Sequence, residues 1–233
     1  MPVSWLESTQ PGFPPVNEAL EEPNGLLAAG GELTVPWLVS AYRAGIFPWF
    51  EEGQPILWWS PDPRMVLKPE SLKISRSMTK FLRRCPFEVT MDTAFPEVIN
   101  ACAQPRDENG GTWITEEMQD AYIALFNEGV AHSVEVWLDG ALVGGLYGVA
   151  MGQVFFGESM FSRESNASKT GFVRLVQQLR KWHFKLVDCQ VTSEHLSSLG
   201  ATEISRDQFN QYLNDYVNNP TQQPLWLFDE TEL

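Results

Sequence analysis

Two apolar segments in the second half of the chain carry polar residues where a buried strand normally has none. Residues 157–162 hold Glu158, and residues 188–191 hold Asp188 and Gln190, with a helical pattern between the two segments. On a strand, residues two apart share a face, so Asp188 and Gln190 point the same way. An unpaired buried polar group costs roughly 2 to 7 kcal/mol. The sequence therefore predicts that these side chains converge and line a cleft.

The chain is long enough for one substantial core and a smaller domain beside it. It has 233 residues, of which 43% are hydrophobic, as in ordinary globular proteins. Pro61 and Pro63 end a segment rich in Pro, Gly and Trp, so we predict a small domain at 1–62 and the main domain at 63–233. Neither a signal peptide nor an apolar run of the roughly 18 residues that span a bilayer is found, which predicts a cytoplasmic protein.

The cysteines and histidines show no pattern of a metal site. None of them forms a CxxC pair or has metal-ligand spacing, which predicts a reducing compartment and no bound metal. Cys189 lies between Asp188 and Gln190 and is expected to face away from them, which disfavours a covalent acyl-enzyme. The residues of both types are Cys85, Cys102, Cys189, His132, His183 and His195.

Positive charge is concentrated in one segment of an acidic chain. Residues 64–84 hold seven basic residues and one acidic residue, a charge of +6, which leaves −20 on the remainder of a chain with net charge −14. Ser75 is a plausible N-cap of a helix that places four basic residues on one face. These are Arg76, Lys80, Arg83 and Arg84. The face is either simply solvated or binds phosphate groups, and the sequence leaves both possibilities open.

The order of elements after residue 130 predicts the fold class. Strands over 133–138, 142–150 and 155–161 are separated by turns at Asp139-Gly140 and Met151-Gly152, and a helix, a strand and further helices follow. This order resembles the GNAT acyltransferase architecture. We therefore predict an α+β fold, a GNAT-like domain with a mixed, mostly antiparallel sheet and flanking helices, preceded by a small N-terminal α/β domain.

Seven motifs, spread over nearly the whole chain, resemble one known family. In their order they resemble the bacterial leucyl/phenylalanyl-tRNA–protein transferases, which is far more specific than one short motif. The motifs are GIFPWF at 45–50, WWSPDPR at 58–64, GTWIT at 111–115, HSVEVW at 132–137, GESMFS at 157–162, NASKT at 166–170 and DCQ at 188–190.

The resemblance implies an aminoacyltransferase. Such an enzyme moves Leu, Phe and less often Met from aminoacyl-tRNA to the N-terminal Arg or Lys of an acceptor protein, and the new N-terminus is a degradation signal of the N-end rule. The implied partners are aminoacyl-tRNA and the acceptor proteins. Neither a cofactor nor a membrane is implied, and the protein is expected to be a monomer.

The resemblance also assigns roles to the three polar residues. The carbonyl of Gln190 accepts a hydrogen bond from the attacking amine, Asp188 polarises and orients Gln190, and Glu158 holds a cationic group of the acceptor. From the residues alone, Asp188 and Gln190 could equally form a satisfied internal pair.

Apolar residues complete the implied substrate site. By resemblance, the terminal adenine of the tRNA stacks between Trp49 and Trp113, and the basic helix with Arg76, Lys80, Arg83 and Arg84 holds the acceptor stem. Helical spacing makes Phe172 and Leu175 equally good core residues. The residues expected to line the amino-acid pocket are Leu146, Met160, Phe172, Leu175 and Val187.

Two other functions compete with this interpretation. An acetyl-CoA-dependent N-acetyltransferase would share the fold, but it needs a glycine-rich turn for the pyrophosphate, and residues 162–167 contain no glycine. A non-catalytic RNA-binding module would use the basic helix and the tryptophans. RNA binding alone would not explain why Glu158, Asp188 and Gln190 converge.

Overall fold

The computed structural model describes residues 3–7, 9–105, 113–220 and 225–229. Within these ranges the chain forms two β-sheets with helices packed around them. The first two residues of the GTWIT motif, Gly111 and Thr112, lie outside the described residues.

The elements are numbered in chain order. The strands are β1 Ser4–Leu6, β2 Leu26–Gly30, β3 Phe47–Pro48, β4 Leu57–Trp59, β5 Arg64–Leu67, β6 Glu88–Met91, β7 Ala131–Leu138, β8 Ala141–Met151, β9 Val154–Ser162, β10 Leu186–Gln190 and β11 Thr202–Ile204. The α-helices are α1 Val35–Arg43, α2 Arg76–Leu82, α3 Phe95–Ala103, α4 Glu116–Asn127, α5 Ala167–Lys181, α6 Glu194–Ser198 and α7 Arg206–Tyr216.

A four-stranded sheet lies in the N-terminal segment, with strand order β1-β2-β4-β3. Its strands have only two to five residues, too few for alternation to reveal them in the sequence. The fully buried Trp58 fixes the sheet, because its indole N–H donates to the Gly30 carbonyl at 2.8 Å. Helix α1 follows Thr34 and ends at Arg43, before Gly45.

The seven-stranded sheet confirms the predicted α+β class. Its order is β11-β5-β10-β9-β8-β7-β6, with β6 to β9 antiparallel and β10 parallel to β9. The predicted succession of three strands, helix, strand and helix is confirmed by β7, β8, β9, α5, β10 and α6. Strands β5 and β11 extend the sheet beyond β10. The sequence did not reveal them, because β5 begins the basic segment and β11 has three residues.

Local signals account for the element boundaries. Asp139 and Gly140 both have positive φ, at 51° and 77°, as a tight antiparallel hairpin requires. The side chains of Ser75 and Thr115 each accept a hydrogen bond from the N–H three residues later. This caps α2, as predicted, and also α4.

Two hydrophobic clusters cover the two faces of the large sheet. Adjacent residues of one strand, such as Leu146 and Tyr147 or Phe155 and Phe156, belong to different clusters and therefore face opposite ways. The cluster with Tyr147 and Phe156 also contains Trp58, so it joins the two sheets in one core. The other cluster packs under α5. Among the described residues, no helix is both long and apolar enough to cross a membrane.

Candidate active site

A bulge in β9 interrupts the centre of the large sheet. Tyr147 of β8 pairs with Ser159, whereas the next residue, Gly148, pairs with Gly157. Glu158 is therefore an extra residue without a partner position on β8. Bulges bend a strand locally and redirect a side chain, and they are frequent beside active sites.

A second bulge lies in the neighbouring strand β10. Asp188 pairs with Val66 and Gln190 pairs with Met65, so Cys189 is the extra residue. Gln190 has a φ of +62°, in the left-handed region that few residues other than glycine adopt. The parallel pairing of β10 with β9 also ends at Asp188. Beyond this point the backbone pairing of the two strands ends, which leaves a gap in the hydrogen bonding of the sheet.

A buried ion pair lies at the base of this gap. Arg64 Nε and Nη2 donate to the two carboxylate oxygens of Asp188 at 2.8 and 2.7 Å. Both side chains are at most 1% exposed. Asp188 Oδ1 also accepts the main-chain N–H of Gln190 at 2.9 Å. Arg64 belongs to the basic segment by its position in the sequence, but its charge is buried and neutralised by Asp188.

The Gln190 side chain lies in a second network, which leads to Glu158. Gln190 Nε2 donates to Glu158 Oε1 at 2.8 Å, and the Tyr122 hydroxyl donates to Glu158 Oε2 at 2.9 Å. The Tyr42 and Tyr122 hydroxyls are hydrogen-bonded to each other. Because Gln190 Nε2 is directed at the Glu158 carboxylate, the side-chain carbonyl oxygen of Gln190 is directed away from it. This oxygen accepts no hydrogen bond from the described residues.

The Glu158 side chain is partly buried. Burial raises its pKa to about 7, while hydrogen bonds from Tyr42 and Tyr122 act in the opposite direction and the charge of Asp188 adds to the rise. Burial also raises the pKa of Tyr42 and Tyr122 well above the usual value, so both phenols stay protonated and can donate. Glu158 therefore changes charge close to neutral pH.

A cavity of about 420 Å³ lies over these groups, which is a usual size for a small-molecule site. It combines the polar residues Glu158, Asp188 and Gln190 with an apolar wall. Six of the predicted apolar and aromatic residues line it, whereas Leu175 is fully buried on α5 and does not. The six are Trp49, Trp113, Leu146, Met160, Phe172 and Val187.

Eleven further residues of the cavity wall were not predicted from the sequence. Tyr147, Phe155, Cys189 and His195 are four of them. Cys189 packs against the same hydrophobic cluster as Val187, two residues earlier, which agrees with the expectation that it faces away from Asp188. Burial raises the pKa of its thiol, which agrees with the expectation that it is no nucleophile. Burial and the nearby Lys169 lower the pKa of His195.

The four basic residues of α2 and its C-terminal end form a separate surface groove. Arg76, Lys80, Arg83 and Arg84 are exposed and line it together with Thr79. Within the described part of the chain none of the four takes part in an ion pair. In the same part, no three His, Cys, Asp or Glu side chains are placed to hold a metal ion.

An α+β fold in which a neutral amide, flanked by the buried carboxylate of Asp188 and the partly buried one of Glu158, faces an apolar cavity is suited to acyl transfer. Known sequences identify the family within this class of acyl-transfer proteins. The family described as leucyl/phenylalanyl-tRNA protein transferase matches residues 66–214, and its N-terminal domain matches residues 31–62. The chain belongs to this family, and it is an aminoacyltransferase.

Curated relatives with the same name cover nearly the full chain. The protein of Pseudomonas fluorescens strain Pf-5 is 57% identical over 97% of this chain and 99% of its own length. That of Nitrosospira multiformis is 56% identical over 99% of both chains. That of Pseudomonas paraeruginosa is 61% identical over 92% of this chain and 95% of its own.

Solved structures show a much weaker similarity. A GCN5-related N-acetyltransferase from Kribbella flavida aligns with a TM-score of 0.38 at 11% identity, over 71% of this chain and 59% of that one. The L-PGS structure from Bacillus licheniformis aligns with a TM-score of 0.41 at 10% identity, over 72% and 53%. The family assignment rests on the sequence relatives.

The raised pKa of Glu158 predicts a pH-dependent cost to stability. A carboxyl group with a pKa of about 7 when folded and about 4.3 when unfolded stabilises the fold in its protonated form, and this contribution is lost as the pH rises through 7. Relative to Glu158→Gln, which cannot ionise, the free energy of unfolding of the parent protein should fall by about 2 kcal/mol between pH 5 and 8. Urea denaturation at both pH values measures this difference. A difference that does not change with pH would show that Glu158 ionises as it does in water.

Proposed function

We propose that this protein transfers Leu, Phe and less often Met from aminoacyl-tRNA to the N-terminal Arg or Lys of acceptor proteins. The reaction forms a peptide bond and creates a degradation signal, in the cytoplasm and without a cofactor. The observation that carries the proposal is the Gln190 amide, held by Glu158 at 2.8 Å with its carbonyl oxygen unused by the described residues, in the wall of an apolar cavity.

The chemistry asks little of the protein beyond positioning. The ester of aminoacyl-tRNA is already activated, and an α-amine has a pKa of roughly 7.7 to 8.0, so much of it is neutral at physiological pH. The amine nitrogen attacks the ester carbonyl, the carbon–oxygen bond to the ribose breaks, and the ribose hydroxyl receives the proton. Gln190 accepts a hydrogen bond from the attacking amine and orients it, and orientation alone contributes about 7 to 11 kcal/mol in favourable cases.

Asp188 acts on Gln190 through the main chain. It accepts the Gln190 N–H and is held by Arg64, so the ion pair fixes the position of the residue while Glu158 fixes its side chain. Glu158 carries the charge closest to the Gln190 amide and is the proposed partner of a cationic group on the acceptor. The apolar wall of the cavity binds the donor, aminoacyl-tRNA, and holds its Leu or Phe side chain.

The remaining parts of the tRNA are assigned to two other surfaces. The terminal adenine stacks on Trp49 and Trp113, both of which line the cavity. The basic groove holds phosphates of the acceptor stem without reading its sequence. We also propose that the protein acts as a monomer of two domains that meet between residues 62 and 63, where one sheet ends and the next begins with β5 at Arg64.

A transfer assay tests the proposal directly. Radiolabelled Leu-tRNA or Phe-tRNA, incubated with this protein and a peptide that begins with Arg, should yield a labelled peptide in the absence of CoA and ATP. The same peptide with an acetylated N-terminus is the control and should stay unlabelled, because it has no free α-amine. Transfer that depends on acetyl-CoA would identify an acetyltransferase, and tRNA binding without transfer would identify an RNA-binding module.

Loss of the Gln190 carbonyl should slow the chemical step. Gln190→Ala is expected to lower kcat by about 10² to 10⁴, the range typical of assistance to proton transfer, with little change in KM for aminoacyl-tRNA. Cys189→Ala is the matched control at the adjacent position of the same cavity wall, and it should keep kcat nearly unchanged because the thiol stays protonated. Steady-state kinetics distinguish a catalytic role of Gln190 from a structural one. An equal loss of kcat in Gln190→Ala and Cys189→Ala would show that only the packing of β10 matters.

Removal of charge from the basic groove should weaken tRNA binding in a salt-dependent way. The double variant Lys80→Ala, Arg83→Ala is expected to flatten the slope of log affinity against log salt by about 0.7 to 0.9 per lost phosphate contact. Transfer from a minimal 3′-aminoacyl adenosine, too short to reach the groove, should be unaffected. The control Arg43→Ala, Lys185→Ala removes the same charges from other exposed positions. An identical slope in the two double variants would mean that the groove is only solvated.

A further inference from the structure

The segment Leu225–Asp229 packs one partly buried tryptophan, Trp226, against the hydrophobic cluster under α5. The Trp226 indole lies flat on the His132 imidazole, with 3.7 Å between ring centroids and 8° between ring planes. Three more aromatic rings surround it at centroid distances of 5.1 to 6.0 Å. They are Phe155, Trp182 and Phe184.

Polar contacts fix both sides of this insertion. His132 Nδ1 is bonded to Asp92 at 2.8 Å, which holds the ring under Trp226. At the end of the segment, Asp229 exchanges two hydrogen bonds with the buried Gln178 side chain, at 2.9 and 3.2 Å. Leu225 and Leu227 are 66% and 57% exposed, so alternate residues point outward. The segment therefore holds Trp226 in one position.

Phe155 connects Trp226 to the cavity. The Phe155 ring lines the cavity on one side and contacts Trp226 on another. It also touches the main chain of Gly148, where an added Cβ atom would lie 2.6 Å from Phe155 Cζ. The Phe155 ring cannot move toward β8, because it already lies against Gly148. It cannot move toward Trp226 either, because the indole occupies that space. The position of this part of the pocket wall is therefore set by a residue that does not itself line the cavity.

We infer that Trp226 is a specificity-determining positioning residue: it fixes Phe155 and so sets the size of the pocket for the aminoacyl side chain. This inference rests on the proposed function. In a close-packed interior a lost side chain is compensated only partly, and neighbouring rings move into the space. Without the indole, Phe155 withdraws from the cavity and the pocket grows. A Leu side chain then loses contacts, while the larger Phe side chain keeps them.

The test is the ratio of kcat/KM for Phe-tRNA to that for Leu-tRNA. Trp226→Ala should raise this ratio roughly tenfold, the usual effect of one methylene in an apolar pocket. Trp226→Phe should restore most of the parent ratio, because a ring again supports Phe155. Leu227→Ala, at the exposed neighbouring position, is the matched control and should leave the ratio unchanged.

A second variant covers the case in which Trp226→Ala does not fold. Asp229→Ala removes the carboxylate that accepts from Gln178 Nε2 and keeps the main-chain hydrogen bond and the core rings. It should shift the ratio in the same direction by a smaller factor. The inference is overturned if these variants keep the parent ratio, including the case in which kcat/KM falls equally for both tRNAs. Trp226 is then a purely structural residue. If the parent protein transfers neither amino acid, the proposed function itself is wrong and the inference falls with it.

Discussion

The buried ion pair of Arg64 and Asp188 is the interaction on which the rest of the site depends. Desolvation of each ion costs several kcal/mol, so neither charge is tolerated without the other, and loss of one partner typically costs about 3 to 5 kcal/mol. Arg64 also donates to the carbonyl of Gly45, and the rings of Phe47 and Phe209 enclose its guanidinium group at 4.9 and 4.6 Å. One side chain thus joins the end of α1, β3, β5, β10 and α7.

The same pair determines the shape of β10. Gln190 has a left-handed backbone conformation, which costs about 1 to 3 kcal/mol for a residue other than glycine. Its N–H donates to Asp188, and a hydrogen bond to a buried charged group is worth about 1.5 to 3 kcal/mol, enough to offset that strain. The bulge is therefore stabilised by a charge that Arg64 keeps in place. Glu158, the extra residue of the facing bulge, completes the arrangement by holding the amide itself.

Local patterns in the sequence predict the frame of the molecule but not these bulges. Alternation and the Asp139-Gly140 turn are sufficient for the order of β7 to β10, and polar residues on apolar strands correctly indicate that Glu158 and Gln190 meet. The partner of Asp188 is 124 positions away among other basic residues, so no local pattern distinguishes Arg64 from a surface charge. The bulge at Cys189 was not predicted either, since an inserted residue has no signature in the sequence.

The ambiguity between core and pocket has a physical origin. Phe172 and Leu175 are three residues apart on α5 and face the same cluster, yet only Phe172 reaches the cavity. The apolar wall belongs to the hydrophobic core under α5, in which Leu146, Phe155 and Val187 are also members. The pocket is thus a part of the core that the protein leaves unfilled. Its dimensions follow from how tightly the surrounding layers pack, so residues behind the wall share in setting which side chain fits.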